Sequence, residues 1–398
     1  MEKFEDQVRI TGVGISQVGR RLMRDPVELT IDACLAAIAD AGLDRTDIDG
    51  LSSHPGPQTA NGYSGAGVDA VEEILRVHPK WFNSGHEMPG HTGAVVAAAI
   101  AVAAGLCRHA LVFRSTWETT APVVARDPRY SVGHAPPGPA VASEMLSWRV
   151  PYGAYSAGNW IGMAATRHFH LYGTRREHLG AIAINARRNA ALNPNAIYRE
   201  PLTMDDYLGA RMITTPFGLY DCDTPCDGAI AIVVSHRDAA KDTRRPNPLR
   251  LEAVGTQITE RWSWDQGVLD HEVMLAGPAK SLWERTDLRP KDVDVAELYD
   301  GFTFNCLSWL EALGFCKRGE GGPFVEGGGR IARDGELPLN THGGQLSGGR
   351  LQGFSFLHEA CIQLWGEGGE RQVPNNPQVA CVSSGGGTPG GVMLLARD

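Results

Sequence analysis

The sequence predicts an α/β protein built from two similar halves, and three observations carry that prediction. Residues 8–14 (Val-Arg-Ile-Thr-Gly-Val-Gly) read as a buried strand ending in a glycine turn, and residues 249–255 (Leu-Arg-Leu-Glu-Ala-Val-Gly) repeat them. Residues 43–51 are echoed by 288–296, with Asp292 and Asp294 standing where Asp47 and Asp49 stand. Each half then supplies a glycine-rich loop, an apolar helix and a late strand. These are 89–93, 94–106 and 110–114 in the first half, and 340–353, 354–365 and 379–383 in the second. A repeat spacing of about 240 residues is too long for a solenoid. Two packed βαβ-type halves, 1–248 and 249–398, are the expected architecture.

The elements follow from local chemistry. Asp25-Pro26 opens a helix over 29–41, and Gly42 stops it. Residues 115–155 carry Pro122, Pro128, Pro136, Pro137, Pro139 and Pro151, so they read as a loop excursion over a pocket. A short helix is expected there at 144–148. Helices follow over 158–172 and 175–192, the second closed by Asn193-Pro194-Asn195. The β-branched run 227–234 is a strand that ends the first half.

Composition excludes several classes. The 398 residues carry a net charge of −9 and no basic cluster interleaved with aromatics, so nucleic acid is not the partner. The longest apolar run, 94–106, is too short to span a bilayer, and the charged stretch 1–9 is unlike the apolar core of a leader. A cytoplasmic protein is expected. Eight scattered cysteines read as reduced thiols rather than a disulfide framework. Cys222 and Cys226 lack the second pair that a zinc site needs. His86 and His91 are one residue too far apart for a zinc-protease motif, and Pro89-Gly90 breaks the helix it requires. No metal is expected.

The loop 340–353 (Asn-Thr-His-Gly-Gly-Gln-Leu-Ser-Gly-Gly-Arg-Leu-Gln-Gly) is too glycine-rich for a helix or strand interior. It opens into the apolar helix pattern 354–365. A glycine loop feeding a helix start offers unpaired N–H groups and the positive end of a dipole. It suits a phosphate, a thioester oxygen or an enolate.

Several stretches resemble the thiolase superfamily: 221–234 (DCDTPCDGAIAIVV), 297–303 (ELYDGFT), 313–316 (LGFC) and 339–344 (LNTHGG). More narrowly, the chain is similar to the sterol-carrier-protein-X type thiolases and to bacterial lipid-transfer proteins of steroid side-chain degradation. The resemblance covers nearly the whole chain. It implies a thiolase fold of five αβαβα layers, a homodimer and an acyl-CoA substrate, with no further cofactor. It also implies a small partner with an OB fold and a zinc ribbon, in a heterotetramer. Four catalytic pieces of a working thiolase depart from the family pattern. Met88 stands where the nucleophilic cysteine belongs. Tyr299-Asp300-Gly301-Phe302 replaces the Asn-Glu-Ala-Phe or His-Asp-Cys-Phe box. Arg350 replaces the histidine of the Gly-His-Pro motif, and Ser383-Ser384-Gly385 replaces the late Cys-x-Gly.

Thiolysis needs a thiolate that accepts an acyl group. Cys34 and Cys361 fall inside expected helices, Cys107 follows one, and Cys381 lies in a strand, so acyl-enzyme chemistry is not expected. A retro-aldol cleavage needs only a base for a β-hydroxyl and a hole for the thioester enolate. The resemblance to steroid aldolases implies a catalytic tyrosine at Tyr299 and a second at the place of Arg350. A tyrosine is a poor base near its ordinary pKa of 10, and a neighbouring guanidinium lowers it. The expected catalytic set is therefore Tyr299 as base with Asp300, His342 and Arg350. Gly343, Gly344, Ser347, Ser383, Met88 and His86 are expected around substrate and CoA. Tyr299 also fits a core tyrosine, Asp300 a buried acceptor, His342 a brace of the loop, and Arg350 an ion pair. The expected function is an acyl-CoA carbon–carbon lyase on a bulky, steroid-like β-hydroxyacyl-CoA. An acyltransferase, or a non-catalytic lipid-binding subunit, is the alternative.

Overall fold

The computed structural model describes residues 3–56, 64–85, 87–127, 147–259, 271–387 and 389–398. The first half runs β1 (Val8–Ile15), α1 (Pro26–Ala41), β2 (Gly50–Ser53), α2 (Val68–Leu75), β3 (Trp81–Ser84), α3 (Gly93–Ala103) and β4 (His109–Trp117). A connecting region follows with α4 (Ala121–Val124), α5 (Ala157–Tyr172), α6 (Arg176–Ala191), α7 (Met204–Gly209), β5 (Met212–Thr214) and β6 (Phe217–Gly218) before β7 (Asp227–His236). The second half holds β8 (Leu249–Gly255), α8 (His271–Trp283), β9 (Val295–Glu297), α9 (Thr303–Ala312), α10 (Gly321–Val325), α11 (Phe354–Trp365), β10 (Val379–Ser384) and β11 (Gly391–Ala396). The expected helix over 144–148 falls largely outside the described residues.

Among the described residues, nine strands hydrogen-bond in the order β3-β2-β4-β7-β1-β8-β11-β10-β9. The two halves of that order are equivalent. β1 pairs antiparallel with β7, β7 antiparallel with β4, and β4 parallel with β2. In the same way β8 pairs antiparallel with β11, β11 antiparallel with β10, and β10 parallel with β9. The halves join through β1 and β8, at Arg9 opposite Arg250 and Ile10 opposite Leu249.

Side-chain alternation along each strand sorts the core into layers. On β7, Ile230, Ile232 and Val234 face a core that holds residues of α3 and α11. Ala229, Ala231 and Val233 of the same strand face α1 and α2. On β11, Met393 and Leu395 join the α3–α11 core, while Leu394 and Ala396 join α8 and α9. The result is outer helices, sheet, central helices, sheet and outer helices, which are the five αβαβα layers. β7 reads as an unbroken apolar run because both of its faces are covered.

Two close approaches fix the outer layer. A side chain at Gly14 would run into the Ala33 carbonyl and the Ala37 nitrogen of α1, and one at Gly12 into the Ala37 carbonyl. The Gly-x-Gly of β1 therefore serves helix–sheet packing, as a turn-free interior of the strand. The expected glycine turn there is thus corrected to two small residues within β1 itself.

The glycine loop 340–353 contains one π-helical turn at Gly344–Gly348. The sequence pattern alone reads as loop there. The turn forms because Gly343 and Gly344 both take positive φ, at 103° and 58°, which ordinary residues resist.

Candidate active site

The central helices α3 and α11 begin at the same end of the molecule as the carboxyl ends of the parallel strands β2, β4, β9 and β10. Residues just beyond those strand ends line one cleft of about 630 Å³: His54 after β2, Tyr299 and Gly301 after β9, Gly385 and Gly386 after β10. Arg350 and Gln352 enter from the glycine loop, and Met88, Gly90 and His91 from the turn before α3. Crevices at strand carboxyl ends are where open α/β sheets bind ligands, and the volume suits a whole small molecule.

Tyr299 is held from three sides. Its backbone N–H donates to Ser383 Oγ at 2.9 Å. Its ring stacks on the His91 ring, with centroids 5.6 Å apart and planes 21° apart. The hydroxyl lies over Gly301, where a Cβ would come within 2.8 Å of it. Gly301 therefore leaves the room that the phenol occupies. His91 is held well below the ordinary histidine pKa, first by burial and then by Arg114, His54 and Arg350 around it. It is a neutral imidazole at pH 7.

Arg350 is clamped by two carboxylates. Nε and Nη2 donate to the two oxygens of Glu118 at 2.8 Å each, and Nη1 donates to Asp223 Oδ1 at 2.9 Å. Burial works against its charge, but Asp223 and Glu118 outweigh burial and raise its pKa. Arg350 is permanently cationic. A guanidinium has five N–H donors, and no acceptor among the described residues takes the remaining two. Asp223 lines the cleft beside it. Burial lifts the Asp223 carboxyl to about 6, with Arg350 opposing and Glu118 adding to the rise.

Cys222 also reaches the cleft wall, which sequence reasoning missed. Its thiol donates to the Gly218 carbonyl at 3.6 Å. Burial, then Asp221 and Asp223, push it up to about 12. It is a neutral thiol, unlike an activated nucleophile. Gly90, which leads into α3, has φ +65°, and a Cβ there would meet Ser384 Oγ at 2.2 Å. No side chain fits at that point.

The other expected residues lie behind the cleft wall. Asp300 is fully buried, accepting from the Gln345 N–H at 2.7 Å and from Asn340 Nδ2 at 3.1 Å. Burial, opposed by those hydrogen bonds, takes its carboxyl to about 7. A Cβ at Gly344 would come within 1.9 Å of Asp300 Oδ2, and one at Gly343 would meet Ala190 of α6. The acceptor that the glycine loop cradles is therefore the protein's own Asp300 carboxyl. His342 bonds through Nδ1 to Glu297 Oε2 at 2.9 Å. Burial lowers its pKa, but Glu297, Glu359 and Asp300 together raise it. Ser347 Oγ accepts from Arg187 Nε at 2.9 Å, in the same buried layer. The expectation that His342, Gly343, Gly344 and Ser347 surround the substrate is thus replaced by a supporting role beneath the wall. Ser383 is buried too and touches the site only by anchoring Tyr299. Met88 lines the cleft, and His86 lies outside the described residues. Among the described residues no group of His, Cys, Asp and Glu could hold a metal ion.

A duplicated βαβ arrangement in five layers, with its cleft at the starts of two central helices, defines the thiolase fold. Residues 275–394 match the family model described as Thiolase C-terminal domain-like. Over 98% of its length the chain is 31% identical to a steroid side-chain-cleaving aldolase of Thermomonospora curvata, covering 97% of that protein. It is 32% identical, over 90% of its length and 92% of the relative, to the 17-hydroxy-3-oxo-4-pregnene-20-carboxyl-CoA lyase of Mycobacterium tuberculosis. The solved Ltp2-ChsH2(DUF35) aldolase superposes with a TM-score of 0.86 at 28% identity, covering 99% of this chain and 98% of that one. A monomeric SCP2-thiolase-like protein of Mycobacterium smegmatis shares the fold, with a TM-score of 0.70 at 17% identity. The chain belongs to the thiolase superfamily, in the group that holds the steroid side-chain-cleaving aldolases, and stands among thiolase-like enzymes.

Proposed function

We propose that this protein is an acyl-CoA carbon–carbon lyase that cleaves a bulky, steroid-like β-hydroxyacyl-CoA by a retro-aldol reaction. One observation carries the reading. The cleft presents a phenol, Tyr299, next to a fixed cation, Arg350, while the cysteine in its wall is held as a neutral thiol. In the reaction the β-hydroxyl loses its proton, a carbonyl forms at Cβ, and the Cα–Cβ bond breaks. The electron pair passes to Cα as a thioester enolate, which takes a proton at Cα and leaves as a shorter acyl-CoA. Tyr299 exchanges a proton with the substrate, and the two N–H groups of Arg350 that no described residue takes offer bonds to the enolate oxygen. Ile161, Ile213, Met88 and Phe302 supply the apolar lining that a steroid-like group requires.

Acyl transfer is the second reading, and Cys222 is the residue that would serve it. A thiol near 12 is almost wholly protonated at neutral pH, which disfavours that route. The relatives named for side-chain aldolase and carboxyl-CoA lyase activity support the lyase.

Two assembly proposals accompany this reading. The name of the solved Ltp2-ChsH2(DUF35) aldolase joins a similar chain to a DUF35 protein; we infer a comparable small partner, with an OB fold and zinc ribbon, for this chain. β3 pairs with β2 on one side and ends the sheet order, and its Phe82 is 68% exposed. An open strand edge carrying an exposed aromatic suits pairing with a second copy. A homodimer that also binds the small partner would be a heterotetramer.

The test is turnover of a panel of β-hydroxyacyl-CoAs and β-ketoacyl-CoAs, by the chain alone and with a DUF35 partner, followed by mass spectrometry. Release of a ketone and a shortened acyl-CoA from the β-hydroxy substrates is expected. An acyl adduct on Cys222, with cleavage confined to β-keto substrates, would establish the transferase instead.

A further inference from the structure

A retro-aldol reaction moves two protons, one off the β-hydroxyl and one onto Cα. Among the described groups that line the cleft, few can carry either. Arg350 keeps its charge, because two carboxylates raise its pKa. Cys222 is a neutral thiol up to about 12. His91 is a neutral ring packed flat on Tyr299, its pKa held well below the ordinary range. Glu87 lies exposed to solvent, and His54 sits edge-on to His91, its ring 5.7 Å from that ring and its Nδ1 bonded to the Gly85 carbonyl at 2.7 Å. Tyr299 carries one exchangeable proton. A second carrier has to stand close to it.

We propose that Asp223 is the catalytic base that takes the β-hydroxyl proton, and that Tyr299 is the acid that protonates the enolate. This rests on the lyase reading above. Four observations place the pair. Asp223 lines the same cleft as Tyr299 and Arg350. Its Oδ1 is pinned by Arg350 Nη1 at 2.9 Å, and its other oxygen accepts no hydrogen bond from any described residue. Its backbone N–H donates to the Gly301 carbonyl at 3.0 Å. Gly301 in turn is the residue over which the Tyr299 hydroxyl lies. Gly301 therefore stands between the Asp223 backbone and the Tyr299 ring.

The charged neighbours set its proton affinity. Arg350 favours the carboxylate, Glu118 opposes it, and Cys222 stands beside it as a neutral thiol. Burial outweighs Arg350 and leaves the group near 6. Such a group is mostly carboxylate at pH 7, yet basic enough to accept a proton in a transition state. Phenols at their ordinary pKa are protonated there and suit the acid role. The cycle balances. Asp223 gains the hydroxyl proton as the Cα–Cβ bond breaks, and the pair lands on the enolate that Arg350 binds. Tyr299 gives its proton to Cα, then recovers one from the Asp223 carboxylic acid.

The experiment compares native protein, Asp223→Asn and Asp223→Glu, with the DUF35 partner present. Asn keeps an acceptor for Arg350 but cannot take a proton. The expected loss in kcat/KM for Asp223→Asn is on the order of 10²–10⁴-fold, with part of it regained in Asp223→Glu. The native profile should fall as pH drops through about 6, and the Asn variant should lose that limb. Infrared difference spectra of native protein minus the Asn variant, titrated without substrate, should show a carboxyl band appearing near pH 6. A band that appears only below about pH 5, or an Asn variant that keeps rate and acid limb, overturns the assignment and leaves the lyase reading standing. Failure of the native complex to cleave any β-hydroxyacyl-CoA overturns both.

Discussion

Tyr299 and Asp300 are chain neighbours with opposite fates, because one side chain turns into the cleft and the other into the core. Tyr299→Phe keeps the ring on His91 and the backbone bond to Ser383. It should lower cleavage on the order of 10²–10⁴-fold with an unchanged circular dichroism spectrum; wild-type turnover in that variant would remove Tyr299 from the chemistry. Asp300 makes a prediction about stability instead. Its carboxyl sits at about 7 in the fold and near 4 in an unfolded chain. The folded state holds the proton more tightly between those values. Stability from this group is complete at acid pH and declines as pH rises toward 7, by roughly 1 kcal/mol per pH unit. Asp300→Asn removes the slope. Urea unfolding from pH 5 to 7.5 should show the variant gaining on the native protein, whatever constant offset the lost Asn340 bond introduces. Parallel curves would contradict this. The pattern Tyr-Asp-Gly-Phe in sequence pointed to both residues but could not say which faced substrate. That depends on Asn340 and Gln345 arriving from a loop forty residues away to meet Asp300.

At the scale of elements, the starts of α3 and α11 decide the reaction class. Both helices were legible from apolar runs bounded by glycine, and α11 spans the expected 354–365. The approach to α3 was not. Gly90 takes φ +65° and packs on Ser384 of the other half, a contact that local sequence cannot encode. A cysteine two residues past the expected nucleophile position at Met88, Gly90→Cys, should therefore yield no acylated thiol and should destabilise the fold by roughly 2–4 kcal/mol. A lowered denaturation midpoint without any acyl-cysteine adduct is the expected result, and a stable acylated variant would refute it. The glycine loop teaches a related lesson. Its glycines promised an anion cradle, and what they hold proves to be the Asp300 carboxyl. Free N–H groups invite any nearby acceptor, and a buried carboxylate of the same chain is held at far higher effective concentration than a ligand. The Arg350 side of the cleft was hidden for another reason. Asp223 and Glu118 are ordinary acidic residues in sequence, and only Arg350 between them gives them a role.

At the scale of the whole molecule, the two halves share one sheet order, and β3 closes it at one end without a described partner strand. Phe82→Glu on that edge should convert a dimer to a monomer in sedimentation equilibrium, since like charges would then face each other across the pairing. A dimer that survives the change would place the interface elsewhere. No described helix is long and apolar enough to cross a membrane.

By itself the sequence determined the duplicated α/β plan, most helices and strands and the thiolase likeness, and it marked Tyr299 and Arg350 as candidates. These are properties of periodicity, glycine placement and motif, which are local or repeat along the chain. Only the tertiary structure decided which of the marked residues share the cleft. It seated Asp300, His342, Gly343, Gly344 and Ser347 beneath the wall, brought Asp223, Cys222 and His91 to its surface, and set Glu118 against Arg350. The physical reason is that burial sets both reach and proton affinity. It lifts Asp223 to about 6 and Cys222 to about 12 in the same cleft, and burial is a property of the packed layers rather than of any stretch of sequence.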